Sequence, residues 1–192
     1  MKAIAFLALA AFALPAFGAR IDALKIARHG DAYKLYSNVY LQAPIKQVRH
    51  VLLDINHWWW ISGAILESRV LRRLDARTQI VYVKSGGCVA FFCPQIEQHE
   101  IVRELSPDHI FAEAIPAQSN VRMSHTDWLL KSESGGTRLI TQVLLVPDFA
   151  VPPLIGPDLI EHMLKQQSES GAHGIEKLAR ERAGLPQNTN ER

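Results

Sequence analysis

The chain has 192 residues, with 21 Lys and Arg against 19 Asp and Glu and a formal net charge of +2. Such a balance, with no basic block, leaves no electrostatic footprint for nucleic acid and no polybasic stripe for anionic lipid surfaces. The length suits one domain with a substantial core.

Met1 and Lys2 precede an apolar run, residues 3–17, that closes on the small-x-small trio Ala16, Phe17, Gly18. This is the order of a charged n-region, an apolar h-region and a cleavage site. A membrane span needs roughly 18–20 apolar residues, and Pro15 and Gly18 interrupt this run. Residues 1–18 therefore read as a cleavable signal peptide, 19–186 as one mature domain and 187–192 as a polar, disordered tail. The expected location is the periplasm. Cys88 and Cys93, the only cysteines, fall in the exported part, where thiols tend to be oxidised. A disulfide is expected. Zinc is the alternative, but a structural site wants four ligands and only His99 lies near in sequence.

After a polar connector, residues 33–42 alternate with period two as a strand, Tyr33, Leu35, Ser37, Val39 and Leu41 sharing one face. Pro44 opens a short amphipathic helix carrying Ile45, Val48, Val51, Leu52 and Ile55 at helical spacing, ended by Trp58, Trp59 and Trp60. Strands are predicted over residues 66–74, 78–84, 96–105, 109–115, 121–131 and 137–146, with the first two as a hairpin. A Pro-rich approach, residues 147–157, leads to a long helix over 158–182 that Gly184 and Pro186 terminate. Inside that helix Gly171 and Gly174 each cost about 1 kcal/mol relative to alanine. A cavity over the helix would offset this, and so would close approach of another backbone or a kink.

Several local patterns sit in this order: Ala43, Pro44 and Val48 opening the first helix; Asp54 followed by Trp58 and Trp60; Trp128, Leu129, Leu130 in a late strand; Gly136, Thr137, Arg138 opening the last strand; and Phe149, Val151, Pro152 before the final helix. Together they cover roughly residues 32–180 and resemble the START-related, or SRPBCC, superfamily. The resemblance implies an α+β helix-grip fold, in which a curved antiparallel sheet of about seven strands wraps a long C-terminal α-helix around an apolar cavity. It also implies a START-like domain that binds or transfers a lipid or other hydrophobic small molecule. Some members use the same cavity for cyclase or hydrolase chemistry.

The residues expected to line the cavity are Trp58, Trp60, Phe91, Phe92, Ile115, Met123, Trp128, Leu144, Ile160, Leu164 and Gly171. Three consecutive tryptophans cannot all face one core, so at least one is partly exposed, either covering a loop or forming a lip that touches a membrane transiently. Phe91 and Phe92, between the cysteines, either fold into the core or close the cavity as a lid.

Enzyme readings need converging groups. Glu97 with His99, and His125 with Asp127, share a strand face and could serve as acid and base, whereas His99 and Glu100 point to opposite faces. No nucleophile elbow, phosphate loop or dinucleotide fingerprint is present. No catalytic residue, metal or cofactor is assigned. The leading expectation is a hydrophobic-ligand binding protein; the alternatives are a cyclase- or hydrolase-type enzyme using the same cavity and an envelope interaction module docking through the tryptophan run and the Phe91–Phe92 loop.

Overall fold

The computed structural model of the protein describes residues 18–88, 93–149 and 156–187. Among these residues eight strands form one curved antiparallel sheet: β1 (Arg20–His29), β2 (Ala32–Leu41), β3 (Ile65–Arg73), β4 (Thr78–Gly86), β5 (Gln95–Ser106), β6 (His109–Ala114), β7 (Val121–Glu133) and β8 (Gly136–Pro147). Their order across the sheet is β1-β2-β8-β7-β6-β5-β4-β3, so β3 to β8 run as a meander and the first hairpin adds to the far side. Helix α1 (Ile45–Leu53) follows β2, a 3₁₀ segment (Ile55–Trp60) follows α1, and α2 (Gly156–Arg182) comes last. No helix among the described residues is long and apolar enough to cross a membrane.

The period-two reading of β2 matches its burial. Tyr33, Leu35, Ser37, Val39 and Leu41 are all buried, while the residues between them are more exposed. The connector expected before residue 33 is instead strand β1. A bulge between Ile21 and Ala23 breaks its alternation and hides the pattern. A two-residue turn with Gly30 at φ 64° joins it to β2. The first helix is also shorter than expected. Its regular turns stop at Leu53, and the 3₁₀ segment takes the chain on through the tryptophans.

The core lies between the sheet and the two helices, with Val48, Val51, Leu52, Ile55 and Trp58 packed against Val39, Leu41, Val81, Val102, Ile110 and Leu139. The last turns of α2 are fixed to the opposite end of the sheet by buried polar groups. The Gln42 amide donates to Glu176 at 2.7 Å, and the Arg180 guanidinium donates to the Gln42 carbonyl at 2.8 Å. Arg182 donates to Asp54, which also bonds His57 Nδ1 at 2.8 Å. Burial opposes ionisation of Asp54, yet the hydrogen bonds and charges of His57 and Arg182 outweigh it and hold the carboxyl below its usual range. Gly184, at φ 65°, ends α2 as its sequence position suggests, with the Leu185 amide donating back to the Arg180 carbonyl.

Thr137, at the start of β8, donates to the Ala43 carbonyl at 2.7 Å. This ties the last strand to the turn that launches α1, so the position of α1 over the sheet is set by one buried bond in addition to packing.

Candidate functional site

The two interior glycines of α2, Gly171 and Gly174, divide the explanations between them. A Cβ built on Gly174 would stand 1.8 Å from the Ile61 carbonyl oxygen, so this glycine permits helix and loop backbones to touch. A Cβ on Gly171 would meet nothing within 4 Å. One turn away from the tight contact, the helix faces empty space.

That space is an inner cavity of about 220 Å³ between the sheet and α2. Strand alternation supplies its wall: Leu35, Ser37 and Val39 from β2, Ser124, Thr126 and Trp128 from β7, and Leu139, Thr141, Val143 and Leu145 from β8. Leu164, Gly171, Ala172 and Ile175 of α2 roof it. Trp58 and Trp128 meet edge to face at one end, centroids 5.7 Å apart, and the Trp58 indole donates to the Leu52 carbonyl at 3.1 Å. A wider mouth of about 540 Å³ opens beside it, between α2 (Ile160, Met163, Leu164), residues 62–64 and the β4–β5 ends at Gly86, Gly87 and Pro94. The two spaces share Ser62, Ser85, Ile96, Leu164 and Gln167. Ser62 and Ser170 bond across this border at 2.8 Å. Together the spaces reach the roughly 300–1,000 Å³ of small-molecule sites.

Cys88 and Cys93, next to Gly87 and Pro94 of the rim, are joined in a disulfide. Phe91 and Phe92, expected to line the cavity, lie outside the described residues.

Of the other residues expected on the wall, Trp58, Trp128, Leu164 and Gly171 lie on it, and Ile160 and Leu164 line the mouth. Four do not. Met123 and Leu144 occupy the opposite strand phase from Ser124 and Val143, so alternation turns them to the outer face. Ile115 sits where β6 ends in a 3₁₀ turn, its amide bonded to the His99 carbonyl at 2.7 Å. Trp60 stacks on His57 at 4.3 Å and, like Trp59, is 49% exposed.

The side-chain pairs considered for acid–base work face away from the cavity. Glu97 bonds Lys84 at 3.0 Å and Tyr82 at 3.1 Å, and His99 Nδ1 bonds the Gln118 carbonyl at 2.6 Å. Asp127 bonds His109 at 2.7 Å, and His125 packs on Phe111. The same alternation that sends Glu97 and His99 outward sends Gln98 and Glu100 inward. Glu100 is the one ionisable side chain among the described residues of the inner wall, and it is 5% exposed. No charge or donor among the described residues compensates it, so burial alone pushes its carboxyl up to about 7. Among the described residues, no three His, Cys, Asp or Glu side chains gather in a way that could hold a metal ion.

A helix-grip sheet around a roofed cavity is the arrangement of START-related proteins, and solved structures agree. The aromatase/cyclase Zhui of a Streptomyces species superposes with a TM-score of 0.64 at 17% identity, over 81% of this chain and 99% of its own. A STAR-related lipid transfer protein of Xanthomonas axonopodis gives 0.58 at 16% identity, over 80% and 99%. A START superfamily protein of Mycobacterium smegmatis gives 0.59 at 13%, over 76% and 98%. No family model matches the chain. No curated protein matches it either. The chain thus has the START-related, SRPBCC fold, and these likenesses establish the fold alone.

Proposed function

We propose that the protein binds, and transfers, a lipid or other hydrophobic small molecule held between sheet and α2. The observation that carries this reading is the Gly171 gap: a helix that tolerates a costly glycine where nothing fills the space is built to leave room. Aliphatic and tryptophan side chains dominate the wall, so ligand burial would contribute about 25 cal/mol per Å² of apolar surface. The likeness to a lipid transfer protein supports the same reading. The signal-like pattern of residues 1–18 and the Cys88–Cys93 bridge support a periplasmic location. Trp59 and Trp60, half exposed and a few residues from the mouth at Ser62, suit transient contact with a membrane from which cargo is taken.

The likeness to an aromatase/cyclase keeps an enzyme in view. Holding is favoured over turnover because both proposed acid–base pairs lie outside the cavity, and Glu100 has no second titratable group beside it on the described wall. The interaction-module reading calls for a filled core, which the cavity opposes.

Native mass spectrometry of protein purified from the periplasm, followed by solvent extraction, tests the proposal. Roughly one equivalent of an apolar compound is expected. A protein that stays empty and shows no response to any lipid or apolar compound would overturn it.

A further inference from the structure

One polar corner of the inner wall is chemically unbalanced. Gln98 and Glu100 point inward from β5, two residues apart, which places their side chains about 6–7 Å from each other along the strand. Gln98 Oε1 is buried and has no hydrogen-bond partner. Glu100 is buried, and among the described residues no cation and no hydrogen bond to its carboxyl offsets that burial. A lone acceptor in an apolar site carries a desolvation cost that native structures seldom leave uncompensated. The rest of the wall facing this corner offers only uncharged groups, Ser37, Ser124, Thr126 and Thr141 among them.

We infer that Gln98 and Glu100 form a recognition site for a hydroxyl group on an otherwise apolar ligand, an alcohol or a phenol. This deepens the proposed function and rests on it. A hydroxyl oxygen lying between the two side chains can be within about 3 Å of both. Its proton goes to Gln98 Oε1, and the neutral Glu100 carboxyl donates to its lone pair, so a single atom serves both side chains. Other ligand ends fit less well. A carbonyl has no proton for Gln98. A carboxylate has no proton for Gln98 and would bury a charge with no cation on the described wall to offset it. An ammonium would require an ionised Glu100 and two buried charges, whose desolvation offsets their attraction.

Glu100 is neutral below its titration midpoint near 7 and loses its proton above it. No other ionisable side chain lines the described inner wall, and the mouth beside it carries Glu169. Recognition of the hydroxyl therefore weakens as pH rises.

The test uses the full mature protein and four probes of equal chain length: decanol, decane, decylamine and decanoate. Affinities are read from the fluorescence of Trp58 and Trp128 and checked by native mass spectrometry. In the wild type at about pH 6, decanol is expected to bind about tenfold more tightly than decane, the scale of one or two net hydrogen bonds. That preference is expected to shrink several-fold at about pH 8.5, to vanish in Glu100→Leu, and to persist without pH dependence in Glu100→Gln. Decane binding as tightly as decanol, decylamine or decanoate binding more tightly than decanol, or a decanol preference intact in Glu100→Leu would overturn the inference while leaving the cavity reading standing. Should Glu100→Leu fail to fold, the pH profiles of wild type and Glu100→Gln decide alone. Failure of all four probes to bind would count against the proposed function, and the inference would fall with it.

Discussion

The Ile61 carbonyl oxygen lies so close to Gly174 that a Cβ there would approach it to 1.8 Å, although Gly171, one turn earlier, looks onto open space. Substituting the same residue at these two sites should therefore have opposite effects. Gly174→Ala must displace the 3₁₀–β3 connection or the helix, and a loss of about 2–4 kcal/mol is expected. Gly171→Ala relieves the helix of a glycine without a clash and should gain up to about 1 kcal/mol. Urea unfolding of both variants checks this. Equal effects would mean that α2 does not seat against Ile61 as described.

Glu100 makes stability depend on pH in a definite direction. Its carboxyl titrates near 4.5 when solvated and at about 7 in the fold. The folded state therefore holds the proton more tightly, and stability is lost as pH rises from the solvated value to the folded one, then levels off. The full effect is on the order of 3 kcal/mol. Glu100→Gln should be close to neutral at about pH 4 and stabilising at about pH 8, by a kilocalorie or more. Denaturation profiles at both pH values that differ from wild type by the same amount would contradict a buried, uncompensated carboxyl.

Trp59 and Trp60 are expected to matter for membranes and little for folding. Trp59 donates to the Asn56 carbonyl at 3.2 Å and Trp60 stacks on His57, but both rings are half exposed. Replacing both by serine should change stability by less than about 1 kcal/mol. Sedimentation with phosphatidylethanolamine–phosphatidylglycerol vesicles should fall by about tenfold, as expected when two interfacial tryptophans are lost. Unchanged vesicle binding would assign the exposed pair no part in membrane contact.

Much of the fold is legible in the sequence because its elements obey simple periods. Strand β2 alternates cleanly, and α2 carries a stop at Gly184. Strand β1 escapes because its bulge shifts the alternation after Ile21, although Gly30 and Asp31 mark the turn that follows. The cavity wall was harder to read, for a physical reason. Choosing apolar side chains selects Met123 and Leu144, yet the inward face of β7 carries Ser124 and Thr126 ahead of Trp128. Parity alone separates them, since Met123 and Trp128 cannot share a face in a regular strand. The same parity, applied to His99, turns Glu100 inward. What no pattern in the sequence reveals is the small side of α2 as two different things, a backbone contact at Gly174 and a gap at Gly171.

The gap at Gly171 also gives the most direct measurement. The Cβ of a leucine there would meet nothing within 4 Å and its branches would enter the inner cavity, so Gly171→Leu should fold and fill the space. Titration with a fluorescent apolar probe, anilinonaphthalene sulfonate or a pyrene-labelled fatty alcohol, is expected to give one site in the wild type and at least a tenfold loss of affinity in the variant, at unchanged or higher melting temperature. Binding by a folded Gly171→Leu protein at wild-type strength would contradict a ligand held between the sheet and α2.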